Sequence, residues 1–462
     1  MKDIIIIGSG PGGYETAIRG AQLGAKVTLI EKAELGGTCL NRGCIPTKVY
    51  FRNAEIIENI KHSSDFGINV ESYSLDEEKM KKRKNEIVDK LVSGIDYLLK
   101  AHKIEFIQGT ARLVGNNTVE VVTNTDIISI EGKNIIIATG SSPSSIPVEG
   151  ADLPGIYTSK ELLDFEKIPE SLAIIGAGVI GSEFANIFQS FGSKVHLFLR
   201  SKYILKHEDI DVSKRLASYF KKRNIKIHNE IKYKKIVKEN NKFTIYFEKK
   251  NKEKSVTVEK LLISAGRKPN IENIGLDTLG IEYTRKGISV NKQFKTNIDN
   301  IFAIGDVNGI KMLAHAAAHQ GIEVVERIMG HEVVINQDLV PNSTFVFPEV
   351  SSVGKTEEEV KSENLDYNTN KFMFAANGKA LALGEGDGFI KVIEADNKIV
   401  GVHILGPHAS DLIHEAAIII NSNMGVKDVA RTIHAHPTLS ETFVEAVLGL
   451  HNEAIHQMPK RK

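Results

Sequence analysis

The run Ile4 to Ile7 is wholly apolar, and it stops at once on Gly8-Ser-Gly10-Pro-Gly-Gly13. A helix-like stretch follows to Gly24, and Ala25 to Glu31 then reads as a second apolar strand that ends in an acid. Short continuous apolar runs bounded by glycine predict strands covered on both faces, so this stretch is a βαβ unit. The pattern returns at Leu172 to Ile175, with Gly176-Ala-Gly178-Val-Ile-Gly181, a helix-like stretch to Phe191, Gly192 and a strand from Lys194 to Arg200. Each unit closes on a similar apolar strand and glycine turn, Asn134 to Gly140 in the first and Leu261 to Gly266 in the second. A third strand of this kind is Ile301-Phe-Ala-Ile-Gly-Asp306.

The intervening segments read differently. Leu75 to Lys103 carries Lys, Glu and Leu at helical spacing and predicts a long exposed helix. Residues 226–260 are Lys-rich and alternate apolar with polar, as strands with one solvated face do. From about Asn336 the pattern changes to alternating strands with two helix-like segments, Ser410 to Ser422 and Leu439 to Leu450, which predicts a separate α+β domain.

Composition then narrows the function. At roughly 100–200 residues per domain, 462 residues predict three or four domains. The 59 Lys plus Arg against 58 Asp plus Glu leave a net charge of +1, so no global field favours nucleic acid or an anionic membrane. No apolar stretch approaches the ~20 residues of a membrane span, and the N-terminal run is too short for a signal peptide, so a cytoplasmic protein is expected. The only cysteines are Cys39 and Cys44, too few for a disulfide scaffold or a structural zinc site, and no metal site is expected.

In a strand–turn–helix context the first glycine of such a motif makes the tight turn, the second lets backbone approach a pyrophosphate, and the third lets helix pack on strand. The helix N-terminus adds free N–H groups and partial positive charge. Two dinucleotides are therefore expected. The acid that reads an adenosine ribose should follow about 20 residues on. Glu31 lies 23 positions after Gly8, but the same offset from Gly176 reaches Leu199, with Arg200 next and Lys202 and Lys206 nearby. A carboxylate would repel a 2′-phosphate whereas Arg pairs with one, so the second site is expected to accept NADP or NADPH. The alternative is that Arg200 and Lys206 are ordinary surface charges and NAD binds through backbone.

Glu34-Leu-Gly-Gly-Thr-Cys39-Leu-Asn-Arg-Gly-Cys44-Ile-Pro-Thr-Lys48 carries the other chemistry. The spacing is compatible with a disulfide across a helix start, and two inert thiols are equally compatible with it. Pro46 suits a first helical turn, which places Cys44 where the helix dipole favours thiolate, with Lys48 on the same face.

Gly36-Gly-Thr-Cys-Leu-Asn-Arg-Gly-Cys-Ile-Pro-Thr-Lys48 resembles the redox motif of the flavoprotein disulfide reductases, most of all the dihydrolipoamide dehydrogenases. The resemblance continues through Ala138-Thr-Gly140, Gly266-Arg-Lys-Pro-Asn270, Ala303-Ile-Gly-Asp306, Met312-Leu-Ala-His315, Gly406-Pro-His-Ala-Ser410 and His434-Ala-His-Pro-Thr-Leu-Ser-Glu441, essentially the whole chain. It implies an α/β fold of two Rossmann-like domains, an FAD domain with a Cys39–Cys44 redox disulfide at 1–145 and an NAD(P) domain at 146–268. A central, FAD-contacting domain at 269–336 and a C-terminal α+β dimerisation domain at 337–462 complete it. For FAD it implies Gly8, Gly10, Gly13, Glu31, Lys32, Gly37, Thr38, Lys48, Ala111, Ala138, Thr139, Gly140, Asp306, Met312, Leu313, Ala314 and His315. For the nicotinamide nucleotide it implies Gly176, Gly178, Val179, Ile180, Gly181, Glu183, Leu199, Arg200, Lys206, Ala265 and Gly266. Lys48 and Glu183 would form an ion pair near the isoalloxazine.

Dithiol chemistry needs a base, and a histidine oriented by a carboxylate is the usual solution. His436 and Glu441 match the family's positions for that pair, with His434 the less suited neighbour, and the pair would reach the active site of the other subunit of a homodimer. The implied reaction is oxidation of dihydrolipoamide through the disulfide and FAD with reduction of NAD(P)+. The lipoyl group is expected on a partner protein of a 2-oxoacid dehydrogenase or glycine cleavage system, since no lipoyl-bearing segment precedes residue 1. A second reading is an NADPH-dependent reductase similar to glutathione reductase, because His196 to Arg200 with Lys206 is similar to that family's NADP segment. The residues between and after the cysteines, and the His-Ala-His-Pro ending, argue against it. Mercuric and large thioredoxin reductases use a further cysteine pair, which two cysteines exclude. A reading of another class, a non-catalytic flavin-binding subunit, requires that Cys39 and Cys44 do not cycle. Two stretches depart from the family pattern with no physical account in the sequence, Thr344-Phe-Val-Phe-Pro348 and Ala316-Ala-Ala-His-Gln-Gly321.

Overall fold

The computed structural model describes residues 1–459. The two glycine units become two parallel sheets built to one plan. The first runs Glu105–Gln108, Val27–Glu31, Lys2–Ile7, Ile127–Ile137 and Ile301–Ala303, every pairing parallel. Side chains alternate across a strand, so Ile4 and Ile6 enter one core with Ala17 and Val324, and Ile5 and Ile7 enter another with Leu113 and Val121. Coverage of both faces is why the run has no polar position. Ile127–Ile137 is shared between two sheets, because its first half pairs antiparallel with Thr118–Val122, itself paired to Thr110–Gly115. Gly132 sits where the pairing changes, and a Cβ there would lie 2.7 Å from the Ile5 side chain.

The second sheet runs Lys226–His228, Lys194–Phe198, Ser171–Ile175 and Lys260–Ile263, again parallel. Its flanking antiparallel meander is Lys232–Glu239, Lys242–Lys249 and Lys252–Val258. Ser141–Pro143 and Arg267–Pro269, which leave the two closing strands, pair antiparallel and join the units. Beyond them, Asn342–Thr344, Glu349–Gly354, Lys398–Gly406, Phe389–Ala395 and Tyr367–Met373 form a five-stranded antiparallel sheet. Helices Ala409–Asn421 and Glu441–Leu448 pack on it.

Three readings of the pattern need correction. The long helix, Glu77–Ala101, is not exposed all round: Met80, Val88, Ile95 and Leu99 are buried, and so is Lys84, which pairs with Asp164 and donates to the Leu163 carbonyl at 3.2 Å. Periodicity shows a charged face but not what later packs on it. The C-terminal sheet carries three further short helices, Glu357–Ser362, Gly378–Leu383 and Val426–Ala430, the first announced by a Thr356/Glu359 capping box. Finally, the Ala316–Gly321 departure has a packing cause. Helix Ala314–Ile328 lies on helix Pro11–Gln22, and Cβ atoms on Gly12 and Gly321 would lie 3.1 Å from Ala317 Cβ and 1.6 Å from Thr16 Oγ1. Only small side chains allow that approach. Among the described residues no helix is long and apolar enough to cross a membrane.

Candidate active site

The two glycine turns have one geometry. Gly8 and Gly176 adopt φ of +107° and +110°, and a Cβ on them would lie 2.3 and 2.4 Å from the Ala138 and Ser264 carbonyl oxygens of the closing strands. On Gly13 and Gly181 a Cβ would lie 1.8 and 1.9 Å from the Gly8 and Gly176 oxygens, the close helix–strand contact. Gly10 and Gly178, by contrast, face open space, with nothing within 4 Å of a Cβ. Helices Pro11–Gln22 and Val179–Ser190 have no side-chain cap and no acid in the first turn, so both present free N–H groups to an anion. This cradle fits the pyrophosphate of a dinucleotide in each unit.

The ribose ends differ. Glu31 is held beside the first turn, its Oε2 accepting from the Ser9 N–H at 2.8 Å and Ser9 Oγ at 2.9 Å, its Oε1 from the Ala33 N–H at 2.8 Å. At the matching place Leu199 is 4% exposed within the apolar core, and its N–H donates to the His228 carbonyl at 2.9 Å. The Leu199 side chain thus sits in the core, since an apolar group at the strand end gains more from burial than from the cleft. Arg200 and Lys206 are exposed, as are Lys32, Ala265 and Gly266; Val179 and Ile180 are half-buried.

Cys39 lies in helix Gly37–Arg42 and Cys44 opens helix Cys44–Lys61, and the two form a disulfide with Cα atoms 4.8 Å apart. Gly43 lets the helices meet, since a Cβ there would lie 2.9 Å from the Thr38 carbonyl oxygen. The disulfide segment rests on the first glycine turn: the Gly36 N–H donates to the Ser9 carbonyl at 3.1 Å, and a Cβ on Gly37 would lie 2.7 Å from Gly10 Cα. Both cysteines are half-buried, as is Thr38. An 18-residue helix begins at Cys44 with no acid in its first turn, so its dipole favours Cys44 as the thiolate once the disulfide opens. Lys48, one turn on, grips both carboxylate oxygens of Glu183 with its Nζ at 2.9 and 3.0 Å.

Around the crossover, Asp306 accepts from Ser141 Oγ and lies 3.8 Å from Arg267 Nε, while Asn270 Nδ2 donates to the Thr139 carbonyl at 2.9 Å and Thr139 Oγ1 to the Asn270 carbonyl at 2.8 Å. Ser141, Arg267 and Asn270 thus hold Asp306 and the Ala138–Gly140 turn in place; all three stood inside or beside recognised motifs, but their pairing across 126 or more residues has no local signal. Gln320, fully buried, accepts from the Gly305 N–H at 2.8 Å and fixes the turn that carries Asp306. Met312 and His315 are exposed and Leu313 and Ala314 half-buried at the start of helix Ala314–Ile328, whereas Ala111 is buried in strand Thr110–Gly115.

The two neighbouring histidines separate clearly. His434 is 12% exposed with both ring nitrogens engaged, Nε2 on Glu415 at 2.6 Å and Nδ1 on the Thr432 carbonyl at 2.9 Å. His436 is 80% exposed, with Nδ1 on Glu441 at 2.9 Å and Nε2 without a partner among the described residues. The Thr438 N–H on Glu441 Oε2 at 2.8 Å, seconded by His436, holds the Glu441 carboxyl below its ordinary range. A histidine so oriented keeps one ring nitrogen open to a proton donor or acceptor outside the subunit.

Residues 2–321 match the family described as pyridine nucleotide-disulphide oxidoreductase, and residues 340–447 match its dimerisation domain. A dihydrolipoyl dehydrogenase of Bacillus subtilis is 40% identical, covering 98% of this chain and 99% of its own. One from Chlamydia trachomatis is 38% identical, covering 100% and 99%. Among solved structures, the Cu(II) complex of a HOCl-induced flavoprotein disulfide reductase from Escherichia coli superposes with a TM-score of 0.87 at 28% identity, covering 96% of this chain and 98% of that one.

Proposed function

The chain belongs to the pyridine nucleotide-disulphide oxidoreductase family, and on that premise we propose that it is a dihydrolipoyl dehydrogenase acting as a homodimer. The observation that carries the reading is the Cys39–Cys44 disulfide at a helix start, resting on one dinucleotide turn and tied through Lys48 and Glu183 to the helix of the other. His436 of the partner subunit, aligned by Glu441, takes a proton from dihydrolipoamide. The resulting thiolate attacks Cys39 Sγ, the Cys39–Cys44 bond breaks, and Cys44 leaves as a thiolate stabilised by the helix N-terminus. The imidazolium gives that proton to solvent and takes the one from the second lipoyl thiol, which attacks the lipoyl sulfur of the mixed disulfide; lipoamide closes, and Cys39 leaves and takes the second proton from His436 as a thiol. The first cradle would hold FAD and the second the nicotinamide nucleotide, and FAD would supply the two-electron acceptor that dithiol chemistry needs to be joined to hydride chemistry. Gly8, Gly10, Gly13 and Glu31 would hold its pyrophosphate and ribose, and Asp306 its far end.

The nucleotide is NADP(H) in this reading, because the ribose acid is replaced by buried Leu199 while Arg200 and Lys206 stand free for a phosphate. The lipoyl group arrives on a partner protein. The test is a substrate panel of dihydrolipoamide, a lipoylated carrier protein and glutathione disulfide, each with both nucleotides. Turnover with glutathione disulfide alone refutes the substrate, and a hundredfold preference in kcat/KM for NADH over NADPH refutes the phosphate assignment.

A further inference from the structure

We propose that Phe345 is a positioning residue for the Lys48–Glu183 ion pair, holding the ammonium dry on one side so that its charge acts on the flavin. The proposal rests on the reading above that this pair borders the isoalloxazine, and it gives the Thr344–Pro348 departure a role.

Phe345 holds both ions. Its ring lies 4.3 Å beneath Lys48 Nζ, and its N–H donates to Glu183 Oε1 at 3.0 Å. Glu183 is 4% exposed, so the anion depends on these two donors, while Lys48, 31% exposed, would otherwise turn its ammonium into water. An aromatic face attracts the cation and excludes water from that side, and a charge so shielded acts more strongly on its surroundings than a hydrated one.

The ring is itself fixed. Phe345 and Phe347 are half-buried, and Val346 between them is fully buried. Phe345 meets Phe51 edge-on at 5.8 Å, Phe347 stacks on Phe51 at 4.8 Å, and Phe51 sits three residues beyond Lys48 on the redox helix. The Phe347 N–H donates to Asn186 Oδ1 at 3.2 Å, one turn after Glu183, and Arg223 caps the Phe347 ring at 4.9 Å. One short segment at the start of the C-terminal sheet thereby pins Lys48 on the redox helix to Glu183 on the nucleotide helix.

A cation beside the flavin stabilises the charge it gains on reduction. Replacing the ring by an aliphatic side chain keeps the N–H bond to Glu183 but lets water screen Lys48, so the bound flavin becomes harder to reduce and a poorer acceptor for the Cys44 thiolate. In the holoenzyme, F345L should lower the ratio of reduced to oxidised flavin at a fixed nucleotide potential about tenfold, about 30 mV for a two-electron couple. It should also move the thiolate-to-flavin absorbance band to shorter wavelength. F345Y, which keeps the ring, should restore both, and K48M should shift both and abolish any further effect of F345L in the double variant. If F345L leaves the ratio and the band unchanged, or if its shift persists in full beside K48M, the positioning role is refuted. If K48M itself moves neither, the placement of the ion pair at the flavin is what fails. F345M replaces F345L should the latter not retain FAD.

Discussion

Lys391 lies in the buried strand Phe389–Ala395 with its side chain 1% exposed, and its Nζ meets Asp209 at 2.8 Å, Asp211 at 2.8 Å and Glu357 at 2.6 Å. Asp209 is 0% exposed and caps helix Ile210–Lys222, its Oδ1 accepting from the Asp211 N–H at 2.9 Å. Lys391→Met keeps the length of the side chain and removes its charge, leaving a buried carboxylate with backbone donors and no cation. Breaking one side of a buried pair costs about 3–5 kcal/mol. With an unfolding entropy of about 2.1 cal/mol/K per residue, 462 residues give about 1 kcal/mol/K, so Tm should fall by about 3–5 °C for cooperative unfolding.

The pH dependence has a definite sign. Burial pushes Asp211 up, but Lys371 and Lys391 outweigh it and hold the carboxyl at about 2. Burial likewise raises Glu357, and Lys361 and Lys391 bring it to about 2. A carboxyl depressed in the folded state contributes stability that is present above its unfolded value and lost as pH falls through the folded one. The Tm gap between the parent and K391M should therefore be full at pH 7 and close between about pH 4.5 and 2. Differential scanning fluorimetry across that range checks it. A gap below about 1 °C at pH 7, or one undiminished at pH 3, would refute the electrostatic account. Because the capped helix follows the loop that carries Lys206, KM for the nucleotide should rise more than kcat falls.

His436→Gln should slow dihydrolipoamide turnover by about 10²–10⁴-fold, the worth of a general base, in steady-state assays, while the His434→Gln loss is much smaller. Gly181→Ala drives a methyl to 1.9 Å from the Gly176 carbonyl and should raise KM for the nucleotide at least about tenfold with FAD retained. Gly13→Ala, which places its methyl 1.8 Å from the Gly8 carbonyl, should instead yield flavin-poor protein, read from the visible spectrum of the purified chain. Cys39→Ser should show a long-wavelength thiolate-to-flavin band without reductant, whereas Cys44→Ser should show none.

Most of what was legible in the sequence was contiguous. Each glycine turn was readable from spacing, and the Cys39–Cys44 disulfide and the His436–Glu441 pair, each within a few residues, from the family resemblance. The pairs that hold the site together do not: Lys48 meets Glu183 across 135 residues, Ser141 meets Arg267 across 126, and Asp209 meets Lys391 across 182. Of these only Lys48–Glu183 was expected, and only through the family resemblance; the other two have no periodicity or motif of their own. The two departures from the family pattern were opaque for the same reason, since the Ala316–Gly321 run is explained only by the helix opposite it and Phe345 only by the ions above it.

Burial separates the lysines that tie elements together from those that only dissolve the chain. The meander lysines of residues 226–260 are mostly exposed and cost nothing to solvate, and removing one is worth little. Lys48, Lys84 and Lys391 have lost most of their water, and each has acquired a carboxylate, a carbonyl or a ring in exchange. The ribose-end residues fall on opposite sides of that line. Glu31 is held in place by three donors from Ser9 and Ala33, which leaves acceptor capacity on Oε1 for a further hydroxyl. Arg200 and Lys206 stay in water with no carboxylate partner among the described residues, so a ligand phosphate would meet them without breaking an internal bond, and the proposed NADP(H) preference rests on that asymmetry.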